Sequence, residues 1–216
     1  VSAVVGSMHF PVVTDTVLGW QHHMMLGLNK DTNGGYSQAD FDYSTSFSSE
    51  EEQHAAELKE IGKRLKDFGV GGYLQHFVKK SARNYFDGCF GWGGLGETFY
   101  TEIFPERGTV LCSLIRSLYY DNTEDTLYRY PALFRQILWY MVLVLVPFSV
   151  FTKRPLDKKR QVAVLSVLGL MLYLQIFEAH ARYLYTFVPI FVFLATEGID
   201  NLRKYLNQKS ERRVKK

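Results

Sequence analysis

Three uncharged stretches dominate the second half of the chain. Gln136–Thr152 (QILWYMVLVLVPFSVFT), Gln161–Phe177 (QVAVLSVLGLMLYLQIF) and Tyr183–Thr196 (YLYTFVPIFVFLAT) are 17, 17 and 14 residues long. A bilayer core of roughly 30 Å takes about 20 helical residues, with about 17 near the lower limit. The first two runs qualify narrowly. The third does so only if the helix continues past Glu197 through Gly198 and Ile199. The first half carries helical rather than uniform patterning. Ser49-Glu50-Glu51-Glu52 has the form of a capping box, with acids in the turn where the helix dipole favours them. Leu58, Ile61, Leu65 and Phe68 follow at helical spacing as an inward face, Lys59, Lys63 and Lys66 face water, and Gly69 stops the helix. A second helix is predicted over Tyr73–Phe86, with Tyr73, Phe77 and Val78 inward. A third rests on Val110, Leu111, Leu114, Ile115, Leu118 and Tyr119. The expected fold class is therefore mainly α: a helical domain over 1–130, then three transmembrane helices at about 134–152, 161–177 and 183–199, then a basic tail at 201–216.

Charge decides between membrane spans and buried soluble helices. Residues 1–130 hold 17 acids and 11 bases, a net of −6, whereas 131–216 hold 5 acids and 14 bases, a net of +9. The linker Thr152–Arg160 carries five bases against Asp157, and the tail from Arg203 carries seven against Glu211. Phe177–Arg182 has one Glu and one Arg. Basic, sparse, basic is the alternation that the positive-inside rule asks of three successive spans. It places the linker and the C-terminus in the cytoplasm, and 1–130 with 178–182 outside. Trp139, Tyr140, Tyr183 and Tyr185 then fall near the outer ends, as interface aromatics. The chain starts at Val1 without a Met or a signal sequence, so it reads as the C-terminal part of a longer multi-pass protein, with Val1–Val13 a candidate for the end of a preceding span.

The apolar and aromatic content (47% and 15%) excludes disorder, and two cysteines, Cys89 and Cys112, exclude a disulfide scaffold. Nucleic-acid binding has no support, because the basic tail has one aromatic and lies where anionic lipid attracts Lys and Arg. No Gly-x-Ser-x-Gly, phosphate-loop or dinucleotide motif occurs.

Three clusters are candidates for chemistry. In QHHMMLGLNKDTNGGY, adjacent His22 and His23 cannot both face one metal from a regular helix, so no metal ligand is assigned. Trp20, Met24, Met25, Leu26 and Leu28 suggest a short helix on the membrane surface, closed by the Asn33-Gly34-Gly35 turn. His22 or His23 would then contact a headgroup or phosphate. In NYFDGCFGWGGLGE, the aromatics Tyr85, Phe86, Phe90 and Trp92 beside Asp87 and Glu97 read as a sugar-binding edge, or else as rings that pack the loop onto the membrane part. In FEAHARYLY, Glu178, His180 and Arg182 gather where burying charge is costly. On a helical turn Glu178 and Arg182 can pair, orienting a guanidinium fork that matches phosphate, with His180 adding a donor. At that depth the phosphate belongs to a lipid.

HHMMLGLNKDTNGGYSQADFDYS, NYFDGCFGWGGLGE and FEAHARYLYTFVPIFVF together resemble the C-terminal portion of multi-spanning glycosyltransferases of Gram-positive bacteria, similar to the protein O-mannosyltransferase superfamily with the GT-C fold. The resemblance implies a multi-pass cell-membrane enzyme that moves a sugar from a polyprenyl-phosphate carrier to a cell-envelope acceptor, protein or glycopolymer, outside the cytoplasm. It implies that the catalytic carboxylate lies upstream of this chain, since Asp15 lacks the expected acidic neighbour. Arg182 matches the position that would touch the carrier phosphate, and 21–130 matches the part that would cover the site. No cofactor is demanded, and a divalent metal stays open. A transporter or flippase fragment, or a non-enzymatic envelope protein with a partner-binding exterior, are the alternatives. The plain span interiors, broken only by Pro147 and Pro189, weigh against the former.

Overall fold

The structure, a computed structural model, describes residues 18–91, 110–119, 127–151 and 156–214. The stretch 1–13, Asp15, Trp92 and Glu97 lie outside these residues. All regular structure among the described residues is helical: α1 Trp20–Gly27, α2 Gln38–Thr45, α3 Glu50–Tyr85, α4 Val110–Tyr119, α5 Arg129–Leu145, α6 Lys158–Ile176 and α7 Val188–Val214, with 3₁₀ turns at Val146–Ser149 and Ala181–Phe187. The chain divides into two compact units. One comprises residues up to Gln75 with Ile176–Glu178, and the other His76–Gln175 with Ala179–Lys216.

In the first unit, Ser49 caps α3, its hydroxyl accepting from the Glu52 N–H at 3.3 Å. Gly69 breaks the helix at φ 56°, a left-handed value that glycine adopts without strain. The turn after α1 is tied by Asn29, whose side-chain oxygen accepts from the N–H groups of Asp31 and Thr32, and Asn33 and Gly34 take positive φ. The apolar core is small: Met25, Leu28 and Ile61, flanked by Met24, Phe68 and Tyr73. Met25, Leu26 and Leu28 are therefore interior, which corrects the reading of α1 as a membrane-surface helix. Leu58 and Leu65, expected inward, are exposed. The inward face of this part of α3 is instead mostly polar, with Gln53, Glu57 and Ile61 buried one turn apart.

Paired groups hold part of that polar interior. Arg64 forks onto Asp40 (Nη2 to Oδ1 2.7 Å, Nη1 to Oδ2 3.0 Å), also donating to the Met25 carbonyl at 2.8 Å and to Glu60 at 3.0 Å. Burial alone would raise the Asp40 pKa. The hydrogen bonds from Arg64 and Asn29 outweigh it and hold the carboxyl below its ordinary range. Buried His22 shares a 2.7 Å hydrogen bond between Nδ1 and the Ser44 hydroxyl, and lies 3.9 Å from Glu57.

In the second unit, α5 with its 3₁₀ extension, α6, and the Ala181–Phe187 turn with α7 make three helical segments long and apolar enough to cross a membrane: Arg129–Ser149, Lys158–Ile176 and Ala181–Ser210. Each begins before the apolar run that announces it, and the third continues beyond Ile199, with Glu197 paired to Arg160 at 3.3 Å. α6 turns Ala163, Val167, Leu170 and Leu174 inward at spacings of four, three and four, while Val162, Leu165, Leu168 and Leu172 on its other faces are exposed. A helix apolar all round belongs in lipid. Pro189 sits in the first turn of α7, where its missing N–H breaks no bond, and Pro147 opens the 3₁₀ turn that ends α5.

Register between α5 and α7 follows from their contacts. Trp139 packs edge-on to Phe191 at 5.3 Å, Gly198 lies against the Leu145 carbonyl, and Asn201 donates to the Phe148 carbonyl at 3.0 Å. Both numbers rise together, so the helices run the same way, while the Arg160–Glu197 pair sets α6 antiparallel to α7. Trp139 is 4% exposed and donates to the Tyr85 carbonyl at 3.0 Å, so it is a core residue and not an interface aromatic. The part of α3 that belongs here, 76–85, buries His76, Lys80 and Asn84 and leaves Phe77 and Val78 exposed, the reverse of the expectation. Lys80 Nζ donates to the Gln175 carbonyl at 2.9 Å, one of the last α6 carbonyls, which lack intrahelical donors. Burial pushes its pKa down to about 7.

Two predictions follow from this packing. A Cβ on Gly198 would collide with the Leu145 backbone oxygen, which cannot swing aside, so Gly198→Leu is expected to destabilise by about 1–3 kcal/mol or more. A thermal melt of the detergent-solubilised protein checks it. Burial, aided by the neighbouring His23 charge, pushes the His22 pKa below its ordinary value, outweighing the pull of Glu57, Asp40 and Glu178. Below about pH 6.5 the unfolded chain then binds a proton that the native state refuses, so stability falls as pH drops through this window. His22→Gln is expected to flatten that slope in chemical denaturation measured between pH 7.5 and 5.5.

Candidate functional site

The second unit carries an extended concavity. Its floor is a groove of about 1070 Å³ running along α5 and α7. Leu138, Met141, Val142 and Leu145 come from α5, and Val188, Val192, Ala195 and Ile199 from α7. At 1.5 Å rise per residue, the stretch from Arg135 to Leu145 gives a length of about 15 Å. These residues recur every three or four positions, so each helix contributes one face.

The end of the groove near the starts of α5 and α7 has different chemistry. Arg135 and Arg182 line it together with Cys89, Phe90, Tyr119 and Tyr185. The Arg135 guanidinium lies over the Tyr128 ring at 5.6 Å and is held beside Cys89 and Tyr128, with its Nε and Nη2 buried. The Arg182 guanidinium lies over the Tyr183 ring at 5.2 Å, and its backbone N–H donates to His180 Nδ1 at 3.2 Å.

The loop after α3 forms the rim. Gln136 holds it by accepting from the Gly88 N–H at 2.8 Å and donating to the Phe86 carbonyl at 2.6 Å. Gly88 lies so near the Arg135 and Gln136 backbone that a Cβ would fall within 2.9 Å of it. Asp87 accepts from the N–H of Cys89 at 2.7 Å and from that of Gly91. The Phe90 ring stands edge-on to Trp139 at 5.0 Å and to Tyr185 at 6.0 Å. Tyr85 packs on Phe191. For Tyr85, Phe90 and Asp87 the packing reading of this loop therefore describes what is seen, since the rings bury against the spans and the carboxylate ties the turn.

The sequence-derived candidates separate. Arg182 lines the groove, and His180 caps the turn that carries it. Glu178 belongs to the first unit, 3.7 Å from His23. The helical turn expected to join Glu178 to Arg182 does not form, because His180 is extended (φ −153°, ψ 131°) and the 3₁₀ turn starts only at Ala181. His22 is buried and bonded to Ser44, so it is withdrawn from any headgroup, whereas His23 is half exposed. Arg135 escaped notice in the sequence because it stands one residue before the first apolar run. The available signal was a guanidinium at the end of a span opposite to the basic linker. Among the described residues no three His, Cys, Asp or Glu gather as a cation site.

No curated protein and no solved structure is significantly similar to the chain. A family model does match it, over residues 7–201, which covers most of both units and reaches into all three spanning segments. The apolar all-round α6, the three spanning segments and this match agree: the chain is a membrane protein and belongs to the family described as conserved hypothetical integral membrane protein.

Proposed function

We propose that the chain is the carrier-binding part of a membrane glycosyltransferase, which transfers a sugar from a polyprenyl-phosphate carrier to a cell-envelope acceptor outside the cytoplasm. The observation that carries this reading is the apolar groove along α5 and α7 with Arg135 and Arg182 at one end. A long hydrocarbon gains from burial against such walls in proportion to the area covered. Two guanidiniums at the end suit a phosphate, because each offers paired donors matched to its oxygens. In the sequence the basic linker and tail flank the other ends of the spans, which under the positive-inside rule supports an extracytoplasmic phosphate seat.

In the reaction, a carboxylate takes the proton of the acceptor hydroxyl as general base. The acceptor oxygen bonds to the anomeric carbon, the bond from that carbon to the phosphate oxygen breaks, and the electron pair leaves with the carrier phosphate. Arg135 and Arg182 stabilise the negative charge that grows there. His180 serves by capping the Arg182 turn, and the helical first unit, with half-exposed His23 beside buried Glu178, serves the acceptor. The resemblance of the three sequence stretches to multi-spanning glycosyltransferases supports the transferase chemistry, and the groove supports the carrier.

The full-length protein in membranes, supplied with radiolabelled polyprenyl-phosphate sugar, tests the reading. Arg182→Ala and Arg135→Ala are each expected to lower transfer by roughly 10²–10³-fold, the usual effect of losing one transition-state donor, while insertion stays intact. Near-normal transfer by the double variant overturns it.

A further inference from the structure

We propose that Phe90 is a specificity-determining residue of the groove, selecting a branched isoprenoid chain over a straight acyl chain next to the phosphate seat. The inference deepens the lipid-carrier reading and rests on it. Phe90 has φ 55°, in the left-handed region, where a bulky aromatic residue is a genuine outlier. Such a conformation persists only when its surroundings over-determine it. Here they do. Asp87 ties the N–H groups of Cys89 and Gly91 on either side, Gln136 clamps the loop, and the ring wedges between Trp139 and Tyr185. A fold needing a turn at this place would put Gly or Asn at position 90. An aromatic held there against its backbone preference implies that the ring itself is used.

Its use follows from where it stands. Phe90, Trp139 and Tyr185 all line the groove beside Arg182. The Phe90 plane makes angles of 73° with Trp139 and 68° with Tyr185. Nearly perpendicular rings make a wall of flat faces separated by notches. A planar isoprene unit lies against a face while its methyl branch fills a notch, so both make close contact. An unbranched chain covers the faces and leaves the notches empty, forfeiting the dispersion contacts there. Selection occurs in the part of the lipid nearest the phosphate, where Arg135 and Arg182 fix the register.

The test uses the full-length protein in phosphatidylcholine vesicles with a photoreactive undecaprenyl phosphate. Farnesyl phosphate and dodecyl phosphate, of equal main-chain length, compete for labelling. The wild type is expected to favour farnesyl phosphate at least fivefold. Phe90→Gly is expected to abolish that preference while still labelling; it relieves the φ 55° backbone but loses the ring's packing, so its melting temperature is read alongside. Phe90→Trp keeps the preference. If Phe90→Gly melts lower, Phe90→Leu carries the comparison, since it keeps bulk and backbone strain but lacks a flat ring, and it too must lose selectivity. A Phe90→Gly or Phe90→Leu protein with wild-type preference overturns the role of Phe90. Wild-type labelling that ignores Arg135→Ala with Arg182→Ala overturns the carrier reading beneath it instead.

Discussion

The contact on which the membrane part depends is the approach of Gly198 to the Leu145 carbonyl. Two helices running the same way over a span's length meet there backbone to backbone, because position 198 carries no side chain. Close approach of backbones through small residues is the usual means of helix association in lipid, where the hydrophobic effect supplies little attraction between apolar surfaces. With the helices pinned at this end, their bulkier residues toward the other end hold them around Trp139 and Phe191 and leave a trough along one side. The groove is thus a product of residue size along two helices rather than of a dedicated binding domain. The Asn201 bonds to the Phe148 and Ser149 carbonyls fix the same junction from the polar side.

The rim depends on a different principle. Around residues 85–91, backbone groups released at the end of α3 are taken up by side chains of α5: Gln136 at Gly88 and Phe86, Trp139 at Tyr85, Tyr140 at Phe86. Each of these bonds removes an unsatisfied polar group from apolar surroundings, where it would be expensive. The loop is therefore anchored to the helix beneath it, and a residue such as Phe90 can be held in a conformation it would otherwise avoid.

The legible and illegible parts of the sequence divide along physical lines. The spans, the Ser49 cap, the Gly69 break and the Asn33-Gly34 turn were readable because each depends on local composition or backbone chemistry. Arg182 was readable because a charge among apolar residues is conspicuous. The inward face of α3 was not. Leu58, Leu65, Phe77 and Val78 satisfy helical periodicity, yet the buried positions are Gln53, Glu57, His76, Lys80 and Asn84. Lys80 is satisfied by the Gln175 carbonyl, 95 residues away, and Glu57 lies near His22 as well as Gln53, so periodicity cannot announce polar groups whose surroundings come from elsewhere in the chain. Arg135 and the rim loop failed for the same reason, since their meaning comes from helices that meet only in three dimensions. His22 misled because a histidine beside methionines resembles a surface residue until a buried serine accepts it.

Lys80 carries one more implication. An amine sealed inside the fold, its pKa pushed down to about 7 by burial, gives up its proton more readily than a surface lysine, and free bases react with acylating and reductive-alkylating reagents where ammonium groups do not. Its shielding makes that reactivity latent. Any excursion that lifts the carbonyl of Gln175 away would bare a nucleophile, so the residue is a chemical clock for breathing of this helix end, written into the polypeptide without any added probe.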